Sequence, residues 1–159
     1  MCQDVFVTED PLARTELTFL LGMGFQLVLR EFVTRVEAAG YQDLRPIHGA
    51  VFQALKASGA TGTELADRLG VTKQAAGQIV DELEEKGYVT RQPHPEGGRR
   101  KLVVLTGKAF EHLTVAGRIL HELEAELAEQ VDFPGLRSEL TKLIRTMAGP
   151  ALPALRPFW

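Results

Sequence analysis

One cysteine among 159 residues excludes a disulfide framework, and a lone thiol fits a reducing, cytoplasmic setting. That residue, Cys2, has no evident histidine partner and reads as inert. No basic stretch leading into an apolar core marks a secretory signal. No apolar run reaches the roughly 20 residues needed to span a bilayer. The most apolar segment, residues 17–29, has 13 residues between Glu16 and Arg30; it reads as a buried helix, and no membrane partner is expected. Phosphate-cradling glycine loops are missing. Of the four histidines, His48, His94, His112 and His121, only the last two share an expected helix. Nine positions apart, they lie about 180° around its axis and cannot bind one metal as neighbours. His121 with Glu124 at i+3 reads as a solvated helix face. The chain is therefore expected to be no enzyme, with no metal and no cofactor.

Positive charge is also in short supply, since the net charge is −3. That does not exclude DNA, because a dipolar distribution suffices. Between Lys86 and Lys101 there are five basic residues against one acid, while residues 110–130 hold five glutamates against Arg118 alone. With 45% apolar residues the chain can bury one core, so residues 1–159 are expected to form one domain.

The most specific stretch is residues 61–106. Thr61 and Glu64 have the spacing of a capping box, so a helix should begin there. Leu65, Ala66 and Leu69 form its apolar stripe, and Gly70 ends it. Val71 follows as an apolar plug. Thr72 is a good N-cap for a second helix, whose Ala76, Ile79, Val80 and Leu83 fall at i, i+3, i+4 and i+7. Two helices joined by such a short turn form a helix-turn-helix, a DNA reader that lays its second helix in the major groove. Lys73, Gln74, Gly77 and Gln78 lie off the buried stripe and are candidates for contact. Glutamine can pair bidentately with adenine, and lysine with guanine or phosphate. Gly77 serves either a close approach of helix backbone to DNA or close packing between helices.

After Gly87, residues 88–92 alternate like a strand, and residues 101–105 form a short β-branched run. The intervening Pro93-His94-Pro95-Glu96-Gly97-Gly98-Arg99-Arg100 is rich in turn formers, so a hairpin is expected with its tip in solvent. Arg91, Arg99, Arg100 and Lys101 are candidates for phosphate or minor-groove contact. An isolated cluster of this kind would read as a solvated charge run; directly after a helix-turn-helix it reads as a DNA-binding wing.

The runs TELADRLGVTKQAAGQIVDELEEKGYVTRQP and GRRKLVVLT resemble the MarR-type winged-helix regulators of bacteria, with a similar layout over residues 12–148. The segment from Leu83 to Arg91 is the most specific piece. The resemblance implies a homodimeric transcription factor, commonly a repressor released by a small molecule or by oxidation. Two departures stand out. That family usually carries Asp-x-Arg at the wing, where this chain has Gly97-Gly98-Arg99. Its recognition helix often carries Ser-Arg, where this chain has Gly77-Gln78.

Outside the reader, residues 12–39 look like one helix that Gly40 ends, apolar on nearly every side and so needing cover on nearly every side. Gly22 and Gly24 would let helices approach closely. Further helices are expected over residues 45–57, over 106–130 with Thr106 as N-cap, and over 133–147. After Gly149 the proline-rich tail cannot continue a helix, and Phe158 and Trp159 are placed to dock on a groove. The expected fold is mainly α with a small β-hairpin wing (α+β). In it, a winged helix-turn-helix over 41–108 joins a dimerisation platform of helices over 12–40 and 106–148. Arg30, Tyr41 and His48 are candidates to line an effector crevice below that platform. The expected function is a sequence-specific, homodimeric DNA-binding transcriptional repressor, relieved by a small-molecule effector. Its partner would be double-stranded DNA with a pseudo-palindromic operator. The alternative is a winged-helix protein–protein interaction module without DNA specificity, which Asp81, Glu82, Glu84 and Glu85 on the second helix keep open.

Overall fold

The computed structural model describes residues 10–150 and residue 153; the expectations for Cys2, Phe158 and Trp159 concern residues outside that set. Six helices and a three-stranded antiparallel sheet follow a short 3-10 turn at Pro11–Arg14. That turn corrects the single long N-terminal helix. Asp10 accepts from the Leu12 N–H and Pro11 opens the turn, but Thr15 is extended and its hydroxyl donates back to the Pro11 carbonyl. The helix proper, α1, therefore begins later and covers Leu17–Ala38.

α2 spans Pro46–Leu55, with proline at its first turn and the backbone N–H of Arg45 donating to His48 Nδ1 at 3.0 Å. α3 covers Gly62–Leu69 and α4 covers Lys73–Glu85. Both begin as the sequence predicts. Thr61 Oγ1 accepts from the Glu64 N–H while Glu64 accepts from the Thr61 N–H, and Thr72 Oγ1 accepts from the Ala75 N–H. The hairpin strands β2 (Val89–Pro93) and β3 (Lys101–Leu105) pair from Val89↔Leu105 to Pro93↔Lys101. A strand the sequence does not announce, β1 (Ala60–Thr61), pairs with the other edge of β3, Ala60 facing Val103. Gly59 makes this pairing feasible, since a Cβ there would stand 2.5 Å from the Val103 carbonyl oxygen.

The chain ends in α5 (Gly107–Ala128) and α6 (Phe133–Ala148). Thr106 precedes α5 as expected, yet its hydroxyl caps nothing; it donates to the Gly87 carbonyl at 2.7 Å and ties the start of α5 to the end of α4. The main core lies inside the winged helix, where Phe52, Leu55, Leu65, Leu83, Tyr88 and Val103 pack together. A smaller cluster of Val36, Ala116 and Ile119 joins α1 to α5.

α1 is the main departure from the expected packing. Within this chain it buries only Val36, while Leu17, Phe19 and Leu27 are 59%, 63% and 60% exposed, so it is not the buried helix its composition suggests. Nothing stands within 4 Å of the Cβ positions of Gly22 and Gly24, so neither serves a close approach in the chain. By length and composition α1 could also cross a membrane. It is fastened to α5 instead: Arg35 donates to both carboxylate oxygens of Glu126, at 2.8 and 2.7 Å, and to Glu31 at 2.8 Å.

Candidate nucleic-acid interface

α4 buries Ala76, Val80 and Leu83 and turns Lys73, Gln74 and Gln78 to solvent. Among the described residues these three side chains make no hydrogen bond or ion pair, so their donors and acceptors are available. Gly77 sits between them, and a Cβ added there would meet nothing within 4 Å. That removes close helix packing as a reason for this glycine. Thr72 spends its oxygen lone pair on the cap and keeps its O–H. Thr61 donates its own O–H to Glu64 at 2.9 Å, so its hydroxyl is committed to holding α3. The same hydrogen bonds from Thr61 hold the Glu64 carboxyl below its ordinary range.

The wing divides its basic residues into two kinds. Arg99 and Lys101 are exposed with no ion pair, and Arg100 reaches only Glu96, at 3.0 Å, with both partners open to solvent. Arg91 behaves differently. From β2 its guanidinium grips Glu84 and Asp81 on α4, and its backbone N–H donates to Glu84 at 3.1 Å. It is a strut that sets the wing against the recognition helix, and its cation is already matched. The tip is organised by His94, a residue sequence reasoning left unassigned: its Nδ1 accepts from the Glu96 N–H and its carbonyl from the Gly97 N–H.

The acidic half of α4 is matched in the same way. Glu82 takes Lys86 and Arg45, and its carboxyl is held down to about 2, chiefly by the hydrogen bond from Lys86. Asp81 and Glu84 take Arg91. What α4 and the wing present unpaired is cationic and amide-bearing.

Of the three expected crevice residues, the structure brings only one to a crevice. Between α1, α2 and α5 lies a cavity of about 70 Å³, walled by residues including Phe32, Val33, Val36, Tyr41, Leu44 and His112. Arg30 points to solvent on α1, away from these walls. His48 is fully buried behind them, with Nδ1 serving the start of α2 and Nε2 3.4 Å from Glu82; burial pushes its pKa down. His112, considered from sequence only as a metal ligand, is the polar group on the wall. A signal for it exists, because it shares the inward stripe of α5 with Ala109, Ala116, Ile119 and Leu123.

Residues 42–100 match the family model described as MarR family. No curated protein matches the sequence significantly. Among solved structures, a MarR-family transcriptional regulator from Rhodococcus sp. RHA1 is similar, at 22% identity and a TM-score of 0.67, over 86% of this chain and 95% of that one. CouR from Rhodococcus jostii RHA1 bound to p-coumaroyl-CoA matches at 22% identity and TM-score 0.68, over 91% and 99% of the two chains. The S. aureus MepR–DNA complex matches at 20% identity and TM-score 0.64, over 83% and 98%. The shared feature is the fold, a MarR-type winged helix carried on a helical platform.

Proposed function

Residues 42–100 of this chain are a MarR-family winged helix, and from that premise we propose that it is a sequence-specific transcriptional regulator. It acts as a cytoplasmic homodimeric repressor, a binding protein rather than an enzyme, whose hold on DNA is relieved by a small molecule. The observation that carries this reading is the unpaired surface of Lys73, Gln74 and Gln78 on α4 beside Arg99 and Lys101 on the wing. The amides are placed to read base edges and the cations to lie along phosphates. Neighbours of the same fold have been captured on DNA and with an acyl-CoA, which supports both halves of the proposal. A second copy would cover α1 and α6, where Leu17, Phe19, Leu27 and Met147 stand exposed. Two-fold symmetry then places two recognition helices on half-sites about 10 bp apart. The protein-module alternative loses its support once Asp81, Glu82 and Glu84 are matched within the chain.

The test uses the DNA upstream of the protein's own reading frame, with binding measured by fluorescence anisotropy across salt. Each lost phosphate contact lowers the slope of log K against log[salt] by about 0.9. Replacing Arg99 and Arg100 by alanine should weaken binding and lower that slope by up to about 3.6 for a dimer. An unchanged slope would remove the wing from the interface, and indifference of the wild type to every upstream sequence would remove the function.

A further inference from the structure

His112 Nδ1 is the only buried side-chain nitrogen or oxygen among the described residues that no protein group satisfies. The residue is 6% exposed, and its ring stands edge-on to Tyr41 at 4.6 Å, Phe52 at 5.4 Å and Tyr88 at 6.3 Å. A buried nitrogen left unpaired opposes folding, and such a group calls for a physical reason. Its position supplies one, because it belongs to a crevice whose other walls are mostly apolar.

The charges around that crevice narrow what could enter. Glu37 lines it, and the field of the Asp43 carboxylate reaches the imidazole. The one cation on the walls, Arg45, is taken by Glu82. Lys86 and Lys108 do not line the crevice. Lys86 holds Glu82, and Lys108 lies over the Tyr88 ring and donates to the Lys86 carbonyl. Burial lowers the His112 pKa, so the ring stays neutral and does not attract an anion.

We propose that this crevice takes a small, flat, uncharged molecule carrying one hydroxyl or carbonyl group, which hydrogen-bonds to His112 Nδ1 while its apolar body lies among Phe32, Val36 and Tyr41. This rests on the effector half of the function proposed above and names the ligand's chemical class. A cavity of about 70 Å³ is smaller than the roughly 150 Å³ that accommodates a benzene ring, so entry must part α1 from α2. α2 is fastened to α4 through Arg45 and Glu82, which carries that movement to the recognition helix.

Phenol and benzoate at neutral pH make the test, being similar in ring but uncharged and anionic respectively. Long-range 1H–15N spectra of the histidine side chains of the full chain should show saturable movement of the His112 resonances with phenol and none with benzoate. His112→Phe should melt at a higher temperature and bind phenol about fivefold more weakly or worse, the loss of one hydrogen bond. Retention of phenol affinity by that variant overturns the assignment, and the wild-type spectra decide the matter even if the variant does not fold. If benzoate binds as well as phenol, the ligand class is wrong while the effector crevice stands. If neither moves His112 in protein that still retains its operator, the class and the effector role fall together and only DNA recognition survives.

Discussion

Alanine at position 77 separates the two things a glycine can do in a recognition helix. Gly77 is the fifth residue of the 13-residue α4. In a helix interior glycine costs about 0.8–1.0 kcal/mol relative to alanine. A Cβ built there meets nothing within 4 Å, so Gly77→Ala gains that propensity with no packing penalty to offset it. For a chain of this size a gain of about 1 kcal/mol corresponds to roughly 2–4 °C in melting temperature. The same methyl group points into the space between Gln74 and Gln78. If α4 lies backbone-close in the major groove, it is overpacked there at a cost of about 1–3 kcal/mol, or roughly 5- to 150-fold in affinity. Thermal melting of the free protein and anisotropy titration on operator DNA read the two effects separately. A variant that is both more stable and equally tight on DNA refutes the close approach, and one that is no more stable refutes the claim that position 77 is open.

Arg91→Ala should destabilise the fold by about 1 kcal/mol or less, as ion pairs near the surface do, and weaken operator binding by freeing the wing. It should leave the salt slope unaltered, because the side chain is spent on Asp81 and Glu84; a shallower slope would make Arg91 a phosphate ligand. Stability should fall in two acid windows. Burial depresses His48 and His112 below their ordinary 6.5, so stability present above that pH is lost as the unfolded chain takes up protons below it. Glu82, held down to about 2 from 4.5, adds stability above 4.5 that disappears as pH falls toward 2. Urea midpoints from pH 8 to pH 3 should show Glu82→Gln abolishing the lower window alone. Leu27→Glu, at a position 60% exposed in the single chain, should yield a folded monomer in sedimentation analysis; a persistent dimer would move the interface elsewhere.

The parts of the fold legible in the sequence are those fixed by neighbours along the chain. The Thr61–Glu64 box, the Gly70 stop, the Thr72 cap and the stripe of Ala76, Val80 and Leu83 are local periodicities, and the structure holds each of them. What escaped depends on distant residues meeting. β1 is two residues long and exists because Gly59 lets the chain press against Val103. Arg91 looked like one more cation in a basic run until β2 was laid beside α4. His48 and His112 carry the same side chain into different roles, one closing a helix end and one left unpaired over a crevice, and only the packing of α1, α2 and α5 distinguishes them. Thr15 breaks the first helix through its extended backbone, a feature that apolar periodicity does not encode.

α1 ties these observations together. A helix of 22 residues that buries one side chain within its own chain leaves its apolar surface to something else. A bilayer is a poor candidate. Insertion would carry the charges at Arg30, Glu31 and Arg35 inward at about 2.5–3.5 kcal/mol for each buried at mid-membrane, and would break the two-oxygen grip of Arg35 on Glu126. A second copy meets no such cost and buries apolar surface at about 25 cal/mol per Å². If that is what covers α1, the platform fixes the distance between two recognition helices, and the crevice lies where α1 meets the reader. A molecule wedged there needs no contact with α4 to weaken DNA binding. It has only to prefer the parted arrangement by about 1–3 kcal/mol, and the same preference obliges DNA to expel it by an equal factor.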